Sequence, residues 1–272
     1  MMVLCLDLET PTEKGYHGVS RGNRAEHANY GVDAPRAVRN AALAGSTCGL
    51  LAPLAYILLL PRRQALARRM LALGAFAALS SLIFVGGMLW SSRVGKLRAC
   101  DRLIGSVPWR GDERVLDVGC GRGLLLIVAA KRLTTGKAVG VDIWDAADQS
   151  GNRPEATLQN ARLEGVAKRA DIMNADAHRL PFANETFDVV LSSLVLHNIH
   201  APPERKEALR EMVRVLKGGG YLAILDVLHT GQYVRVLRKG GAMSGVERTE
   251  PRFLFFFPSR AVFGRKAKHR GA

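Results

Sequence analysis

The sequence predicts an α/β fold in which a doubly wound, seven-stranded sheet follows an apolar two-helix hairpin. From Glu113 onward, strand candidates alternate with helical stretches, a pattern typical of a parallel sheet with helices on both faces. A glycine-rich turn joins the first strand to the first helix of this region. Two long uncharged runs precede it. We therefore expect a flexible polar tail at 1–33, a helical membrane hairpin at 34–91 and an α/β domain at 92–272.

The composition is that of a folded, strongly basic chain. Its 272 residues carry a formal net charge of +15, and 48% of them are hydrophobic. Such a charge favours an anionic partner, either nucleic acid or an anionic membrane surface. The four cysteines are scattered and form no C-x-x-C pair, so neither a zinc site nor a disulfide framework is predicted. No metal is expected, and a reducing compartment is the simpler interpretation.

The hairpin is predicted from two uncharged runs, Ala41–Leu60 and Met70–Trp90. A helix needs about 20 apolar residues to cross a bilayer core, so each run is long enough. Asp33-Ala34-Pro35 is a plausible helix start. A pair of buried helices covering a soluble domain remains the alternative. The connector beginning at Pro61 contains the arginines Arg62, Arg63, Arg68 and Arg69. Both runs contain glycines that allow close helix packing, namely Gly45, Gly49, Gly74, Gly86 and Gly87.

The hairpin's orientation is not decided by charge counting. Two spans leave both ends on one side, where Arg36, Arg39, Arg93, Lys96, Arg98 and Arg102 lie, but the connector also carries four arginines. Positive residues mark the cytoplasmic side, so the two counts conflict. Spans that are shallow or interfacial would resolve the conflict.

The elements of the α/β domain follow in order. Residues 92–104 predict a short amphipathic helix. A helix start is expected at Pro202-Pro203. Helical stretches are predicted at 124–133, 153–163 and 208–216. Parallel strands are predicted at 114–118, 137–142, 170–174, 187–192 and 220–226.

The glycine turn lies in the stretch ERVLDVGCGRGLLL, Glu113–Leu126. Glycines at alternate positions 119, 121 and 123 follow Asp117, and the missing Cβ atoms allow positive φ and the close approach of a ligand. A dinucleotide fingerprint needs G-x-G-x-x-G, which Leu124 does not satisfy. The second strand ends in Asp142, an acid that can accept both ribose hydroxyls of an adenosine.

Two further segments complete a set of motifs. The third strand runs into Asn174-Ala175-Asp176-Ala177 and then Leu180-Pro181-Phe182, and the fourth begins Phe187-Asp188-Val189-Val190. With the glycine turn and Asp142, these resemble the motifs of the class I S-adenosylmethionine (SAM)-dependent methyltransferases. The nearest branch is the one that includes ubiquinone- and menaquinone-type small-molecule methyltransferases. The resemblance covers about residues 92–265.

This resemblance implies a Rossmann-like sheet whose late strands, near 246–249 and 261–264, form an antiparallel edge. It also implies that Asp142 binds the ribose, that Asp176 and Ala177 bind the adenine edge, and that Ser193 lies beside the methyl group. Ile143 and Leu194 would sandwich the adenine. The implied SAM-binding residues are Asp117, Gly119, Cys120, Gly121, Gly123, Asp142, Ile143, Asp176, Ala177, Ser193 and Leu194.

The resulting hypothesis is a membrane-attached, SAM-dependent methyltransferase acting on a small, possibly lipid-soluble acceptor. Because SAM is a cytosolic compound, we expect the catalytic domain to face the cytosol. No catalytic residue is assigned; His197, His200, Asp226 and His229 are candidates. A nucleic-acid methyltransferase is the less favoured alternative, since no aromatic residue follows Pro202-Pro203. A catalytically silent SAM-binding membrane module is another. The oligomeric state stays open.

Overall fold

The structure, a computed structural model, describes residues 27–253 and 257–268. Most of the predicted polar tail, residues 1–26, lies outside this part of the chain. Residues 29–33 are described, and they make hydrogen bonds to the α/β domain. The backbone groups of these residues are bound by side chains far away in the sequence.

The apolar hairpin consists of α1 (Pro35–Leu59) and α2 (Gln64–Trp90). They pack antiparallel at two glycines, where an added Cβ would lie 2.5 Å from Ser81 Cβ at Gly45 and 2.1 Å from Ala52 Cβ at Gly74. No such contact exists at Gly86. Close packing was thus predicted correctly for some of the glycines only. The connector is shorter than predicted, since Arg68 and Arg69 lie inside α2.

The two hairpin helices are long and apolar enough to cross a membrane. In their most apolar windows, 11% of the residues of α1 and none of those of α2 are buried. In this structure the α/β domain therefore leaves these windows largely uncovered. The large apolar side chains that α1 and α2 expose are Leu43, Leu50, Leu51, Leu54, Ile57, Leu58, Leu66, Met70, Leu73, Phe76, Leu79, Leu82, Ile83 and Trp90.

The helix α2 continues without a break into the α/β domain. A π-helical turn, Ser91–Gly95, joins it to α3 (Lys96–Gly105). The amphipathic helix predicted at 92–104 is present, but it forms the end of one long helix rather than a separate element. Lys96, predicted to flank the membrane, is instead 4% exposed, because its ammonium group binds residues 30–33.

The sheet has seven strands in the order β3-β2-β1-β4-β5-β7-β6. The first five are parallel, and β7 is antiparallel to both β5 and β6. This confirms the predicted doubly wound, seven-stranded sheet. The strands are β1 (Arg114–Val118), β2 (Lys137–Asp142), β3 (Ala170–Asn174), β4 (Phe187–Ser193), β5 (Leu216–Asp226), β6 (Met243–Arg248) and β7 (Arg260–Lys266).

Helices cover the two faces of the sheet and form two hydrophobic cores. One core joins α3 and α4 (Leu124–Ala130) to side chains such as Val115 and Leu191. Helix α5 (Pro154–Leu163) contributes Ala161 to the same core. The other core joins α6 (Pro202–Val215) and α7 (Thr230–Lys239) to the opposite side chains of the same strands. The carboxyl ends of the parallel strands remain open between the layers, where α/β folds bind ligands.

Candidate functional site

A cavity of about 930 Å³ opens at the carboxyl ends of the parallel strands. This volume is near the upper end of the range of about 300–1,000 Å³ for small-molecule sites. Ten of the eleven predicted binding residues line it, and Gly123 does not. The ten are Asp117, Gly119, Cys120, Gly121, Asp142, Ile143, Asp176, Ala177, Ser193 and Leu194.

The glycine loop after β1 needs glycine for backbone conformation and for packing. Gly119, Gly121 and Gly123 have φ of 76°, 51° and 86°, values that side chains disfavour. A Cβ on Gly119 would meet Val195 at 2.2 Å, and one on Gly121 would meet Gln149 at 2.7 Å. The space was expected to admit a ligand, but at these positions the protein's own side chains take it. Gly119 and Gly121 line the cavity and, without side chains, present only backbone atoms to it.

Asp117 places a buried carboxyl group at the floor of the cavity. It is 1% exposed, and neither carboxyl oxygen has a well-aligned hydrogen-bond donor among the described residues; the nearby Leu126 N–H only partly offsets the rise of its pKa. Burial, and secondly the nearby charge of Asp142, raises the pKa of Asp117 to about 8. A buried carboxylate without donors is costly. The group is therefore suited to a cationic ligand that would restore its charged form.

Asp142, the acid at the end of β2, is oriented by the loops on either side of it. Its Oδ2 accepts a hydrogen bond from the Gly121 N–H at 2.7 Å, and its Oδ1 accepts one from the Trp144 N–H at 2.6 Å. Asn152 Nδ2 lies 3.4 Å from Oδ1. A carboxylate has about four acceptor positions, so Asp142 retains capacity for a ligand hydroxyl. Its position is fixed before any ligand arrives.

The third strand delivers Asp176 and Ala177 to the same cavity. Asp176 Oδ1 accepts the His178 N–H at 2.9 Å and lies 2.5 Å from His178 Nδ1. Burial raises the pKa of Asp176, but the His178 contacts outweigh this effect and lower it. The Asp176 carboxyl is therefore charged near neutral pH and can accept a hydrogen bond from a ligand amino group. Ile143, 64% exposed, offers an apolar surface beside it.

The end of β4 forms a constrained wall. Leu194 has φ of 59°, a strained conformation for a bulky residue and one that often marks a functional site. Its backbone N–H binds Leu225 O at 2.9 Å. Ser193 Oγ lies 3.9 Å from Cys100 Sγ on α3. Burial raises the pKa of Cys100 to about 12, so this thiol stays neutral and serves as packing.

A histidine that lines the cavity is held by a fully buried acid. His197 Nδ1 lies 2.6 Å from Oδ1 of Asp226, at the end of β5. Asp226 is 0% exposed, and its Oδ2 accepts hydrogen bonds from the His197 N–H at 3.1 Å and the Tyr233 hydroxyl at 3.0 Å. Burial lowers the pKa of His197, but Asp226 outweighs it and raises the pKa. With Nδ1 held, Nε2 is the nitrogen left to take a proton.

Sequence analysis missed several residues that line this cavity. Asp33 and Ala34 come from the predicted tail and hairpin start, Lys96 from α3, and Gln149 from the loop after β2. None belongs to a periodic pattern or to one of the four motifs. The nearest hint is Lys96, a charged residue on the apolar side of an amphipathic stretch. The cavity thus combines a buried acid without donors, two oriented carboxylates and a histidine suited to act as a base.

Comparison with known proteins places this domain. Residues 116–224 match a family model described as "Methyltransferase domain". The 27-O-demethylrifamycin SV methyltransferase of Amycolatopsis mediterranei is 36% identical over 134 residues, covering 48% of this chain and 44% of that protein. The chloroplastic 2-phytyl-1,4-beta-naphthoquinone methyltransferase of Arabidopsis thaliana is 32% identical, covering 52% of this chain and 53% of that protein. The matched segment thus spans about half the length of these relatives.

Among solved structures, an O-methyltransferase family protein from Burkholderia thailandensis has a TM-score of 0.51 at 15% identity, covering 72% of this chain and 61% of that one. The [4+2]-cyclase SpnF has a TM-score of 0.50 at 19% identity, covering 63% and 82%. At these identities the likeness concerns the fold alone. It confirms the α/β architecture independently of the sequence motifs.

Proposed function

We propose that this chain, which carries a class I SAM-dependent methyltransferase domain, transfers a methyl group from SAM to a small, lipid-soluble acceptor at a membrane. The observation that carries the proposal is the convergence of ten motif residues on one cavity whose floor is a buried carboxyl group without hydrogen-bond donors. The family match supports the domain. The acceptor and the membrane setting are inferred from the features that follow.

The cavity's residues fit SAM. When bound, SAM supplies an electrophilic methyl group on a positively charged sulfur. Asp117 would face the cationic ammonium and sulfonium end, which suits an acid that has no donor among the described residues. Asp142 would accept the ribose hydroxyls, and Asp176 and Ala177 would bind the adenine edge. The whole of Gly119–Gly121 would contact the cofactor through its backbone.

A lipid-soluble acceptor is supported by the apolar side of the cavity. Met88 from the end of α2, Leu228 after β5 and Phe257 before β7 line it. Leu228 and Phe257 are 55% and 49% exposed, so they form an apolar rim on this side of the cavity. Two of the similar proteins, the Arabidopsis one and a demethylmenaquinone methyltransferase of Staphylococcus aureus, 32% identical over 126 residues, have quinones in their names. An aromatic hydroxyl compound with an apolar chain is the class we propose.

The chemistry needs alignment of the acceptor and removal of one proton. As the bond between the acceptor atom and the methyl carbon forms, the bond from that carbon to sulfur breaks. The acceptor's proton passes to His197 Nε2, and Asp226, 2.6 Å from Nδ1, stabilises the resulting imidazolium. A positioned base of this kind contributes about 10²–10⁴-fold. Holding the acceptor in line behind the methyl group supplies much of the remainder.

The hairpin would fix the domain to the bilayer. The 25 residues of α1 and 27 of α2 correspond to about 37 and 40 Å of helix. Both exceed a hydrocarbon core of about 30 Å. We propose that the hairpin spans the membrane and that the domain faces the cytosol, where SAM is available. Membrane attachment would also bring a bilayer-resident acceptor to the apolar rim.

The test is methyl transfer by the full-length protein in lipid nanodiscs. The protein is incubated with methyl-labelled SAM and, separately, a demethylated quinol with a long prenyl chain, its short-chain analogue, and RNA. We expect label in the long-chain quinol. Label in RNA would instead establish the nucleic-acid alternative. SAM binding without transfer to these acceptors or to a total lipid extract would favour a silent binding module, a real option because the fold also occurs in a cyclase.

The cofactor assignment has a separate test in Asp142→Asn. This change keeps the size of the side chain but weakens its capacity to accept two ribose hydroxyls, so SAM affinity should fall about tenfold, as expected for a charge-assisted hydrogen bond. The matched control is Asp171→Asn, on β3 but outside the cavity, where it pairs with exposed Lys137. Calorimetry should find its affinity unchanged. Equal affinity of Asp142→Asn and the wild type would exclude the ribose role.

A further inference from the structure

A short segment N-terminal to the hairpin forms one wall of the cavity. Residues 29–34, here called the strap, run antiparallel to the loop that follows β2. The Val32 N–H binds Ser150 Oγ at 2.7 Å, the Ser150 N–H binds Val32 O at 2.9 Å, and the Ala34 N–H binds Asp148 O at 3.0 Å. Asp33 and Ala34 line the cavity directly. The strap leads straight into α1, which begins at Pro35.

The strap also determines the surroundings of the glycine loop. Arg122, in the middle of that loop, donates from Nε to Asn29 O at 2.7 Å. Asn160 Nδ2 binds both Asn29 O and Arg122 O at 2.9 Å. Gln149 donates to Tyr30 O at 3.0 Å and accepts the Arg122 N–H at 3.0 Å. The side chains of Arg122, Asn160 and Gln149 therefore connect the strap to the glycine loop. A displacement of the strap would change the contacts that these side chains make with the loop.

Lys96 joins the strap to the start of helix α3. Its Nζ donates to Tyr30 O at 2.7 Å, to Gly31 O at 3.2 Å and to Asp33 Oδ1 at 3.0 Å. An ammonium group has three donors, so all of them are used and none is left for a ligand anion. Ser92 adds two contacts, accepting the Asp33 N–H at 3.0 Å and donating to Asp33 Oδ2 at 3.3 Å. Asp33, Ser92 and Lys96 are called the latch.

The latch lies where the hairpin enters the domain. Ser92 belongs to the π-helical turn at the end of α2, and Lys96 begins α3. Single π-helical turns inside α-helices are rare and frequently mark functional sites. The strap precedes α1 and the latch residues follow α2, so the two ends of the hairpin meet at this point.

We propose that Lys96 is a positioning residue of the cofactor site, which holds the strap against the glycine loop and so makes SAM affinity depend on how the two hairpin ends are joined. This inference rests on the proposed SAM-binding function. It adds residues 29–34 to the site, although they lie far outside the segment 116–224 that matches the family model. Without the latch, the strap loses its hold on the α3 side and Arg122 loses a fixed partner. The glycine loop would then become ordered only when SAM binds, and the free-energy cost of this ordering would lower the affinity for SAM.

The experiment compares Lys96→Met with Lys217→Met in the full-length protein in nanodiscs. Both changes remove an ammonium group paired with a carboxylate, but Lys217 pairs with Asp188 at 2.9 Å outside the cavity. SAM affinity is measured by calorimetry, and amide hydrogen exchange is measured without SAM. For Lys96→Met we expect affinity about tenfold lower, a typical coupling between sites, and faster exchange in residues 29–34 and 119–123. Lys217→Met should match the wild type in both.

The outcomes separate the latch from simple packing. A lower melting temperature with unchanged affinity and unchanged exchange at 119–123 would overturn the proposal, since a structural role alone predicts that result. If Lys96→Met does not fold, SAM affinity and amide hydrogen exchange are measured on Asp33→Asn instead, which retains the shape of the side chain. If the wild type fails to bind SAM, the proposed function fails. Faster exchange at 119–123 in the SAM-free variant would still support the link between strap and loop.

Discussion

At the scale of single residues, the site combines one buried carboxyl group, Asp117, with carboxylates that neighbouring loops orient. Asp117 was predicted from its place two residues before a glycine turn, and its position on β1 follows from the apolar run around it. Its raised pKa could not be predicted, because it depends on full burial and on the distance to Asp142, both set by the packing of other elements. The position of the Asp117 carboxyl group is therefore predictable from the sequence, but its protonation state is not.

The Asp117 pKa predicts a pH dependence of SAM binding. In the free protein this pKa is raised to about 8, so the carboxyl is largely neutral at pH 7. A cationic ligand favours the carboxylate, lowers the pKa and releases a proton on binding. Affinity should therefore rise with pH up to about 8, by at most about tenfold per pH unit for one proton. Calorimetric titrations between about pH 6 and 9 measure this slope.

The control for this prediction is Asp117→Asn, in which the part of the slope that comes from Asp117 should disappear. The amino group of SAM titrates in the same range, but it does so equally in both proteins, so their difference reports Asp117. The free variant should also melt at a higher temperature than the wild type above pH 7. The reason is that a carboxyl whose pKa is raised on folding opposes stability as pH rises through the window from its ordinary value of 3.8 to about 8. Equal pH slopes for the variant and the wild type would contradict the assignment.

His197 gives a second prediction for a single residue. His197→Asn should lower kcat about 10²–10⁴-fold, the contribution of a positioned base, and leave SAM affinity unchanged. The active form is neutral histidine, so the wild-type rate should rise with pH through a pKa above the ordinary 6.5, in the direction set by Asp226. Rates and pH profiles with the quinol acceptor are the measurement. The control is His229→Asn, at an exposed residue outside the cavity. A similar loss of kcat in both variants would refute the role of His197.

At the scale of elements, sequence patterns predicted the strands well, and the helices less evenly. Strands β1, β2 and β3 begin and end as predicted, because buried parallel strands are short apolar runs bounded by polar residues. Strand β5 begins earlier, at Leu216, directly after α6. Helix α7 was not predicted at all. Its buried residues Tyr233 and Leu237 are four residues apart, which is a helical spacing. An element of ten residues, however, contains too few apolar residues to make this pattern clear.

The hairpin gives a prediction for helix packing in which two glycines are compared. Gly74→Ala should destabilise the hairpin, because the new Cβ would lie 2.1 Å from Ala52 Cβ. Such overpacking costs about 1–3 kcal/mol. Gly86→Ala places its Cβ in open space and should gain up to about 1 kcal/mol of helix propensity. Thermal denaturation and hydrogen exchange of α1 in nanodiscs measure both. Equal behaviour of the two variants would contradict the observed packing.

At the scale of the whole molecule, the sequence located the cofactor motifs but not the connection between the site and the hairpin. The motifs are local, each a few residues at the end of one strand. The strap contacts join residues as far apart as Asn29 and Asn160 through backbone carbonyls and single polar side chains. Such contacts leave no periodic pattern. The predicted domain boundary at residue 92 therefore separates residues that the structure holds together, namely Asp33 and Lys96.

The orientation of the hairpin is the last prediction, and charge counting alone does not decide it. If Lys96, which is buried and paired, is left out of the count, five arginines remain on the domain side. The other side has Arg62 and Arg63 in the connector, and Arg68 and Arg69 near the start of α2. We propose that the domain faces the cytosol, where SAM is available, and two complete spans would then put the connector on the opposite side. In a variant without Cys5 and Cys48, a cysteine replacing Arg62 in the connector should react with a membrane-impermeant maleimide only from that side. A cysteine replacing Asp112, an exposed residue of the domain, should react only from the cytosolic side. Cys100 and Cys120 are buried, so the background should be low. Reaction of both cysteines from the cytosolic side would show that the helices enter the bilayer without crossing it, and the conflict between the two arginine clusters would then have its physical explanation.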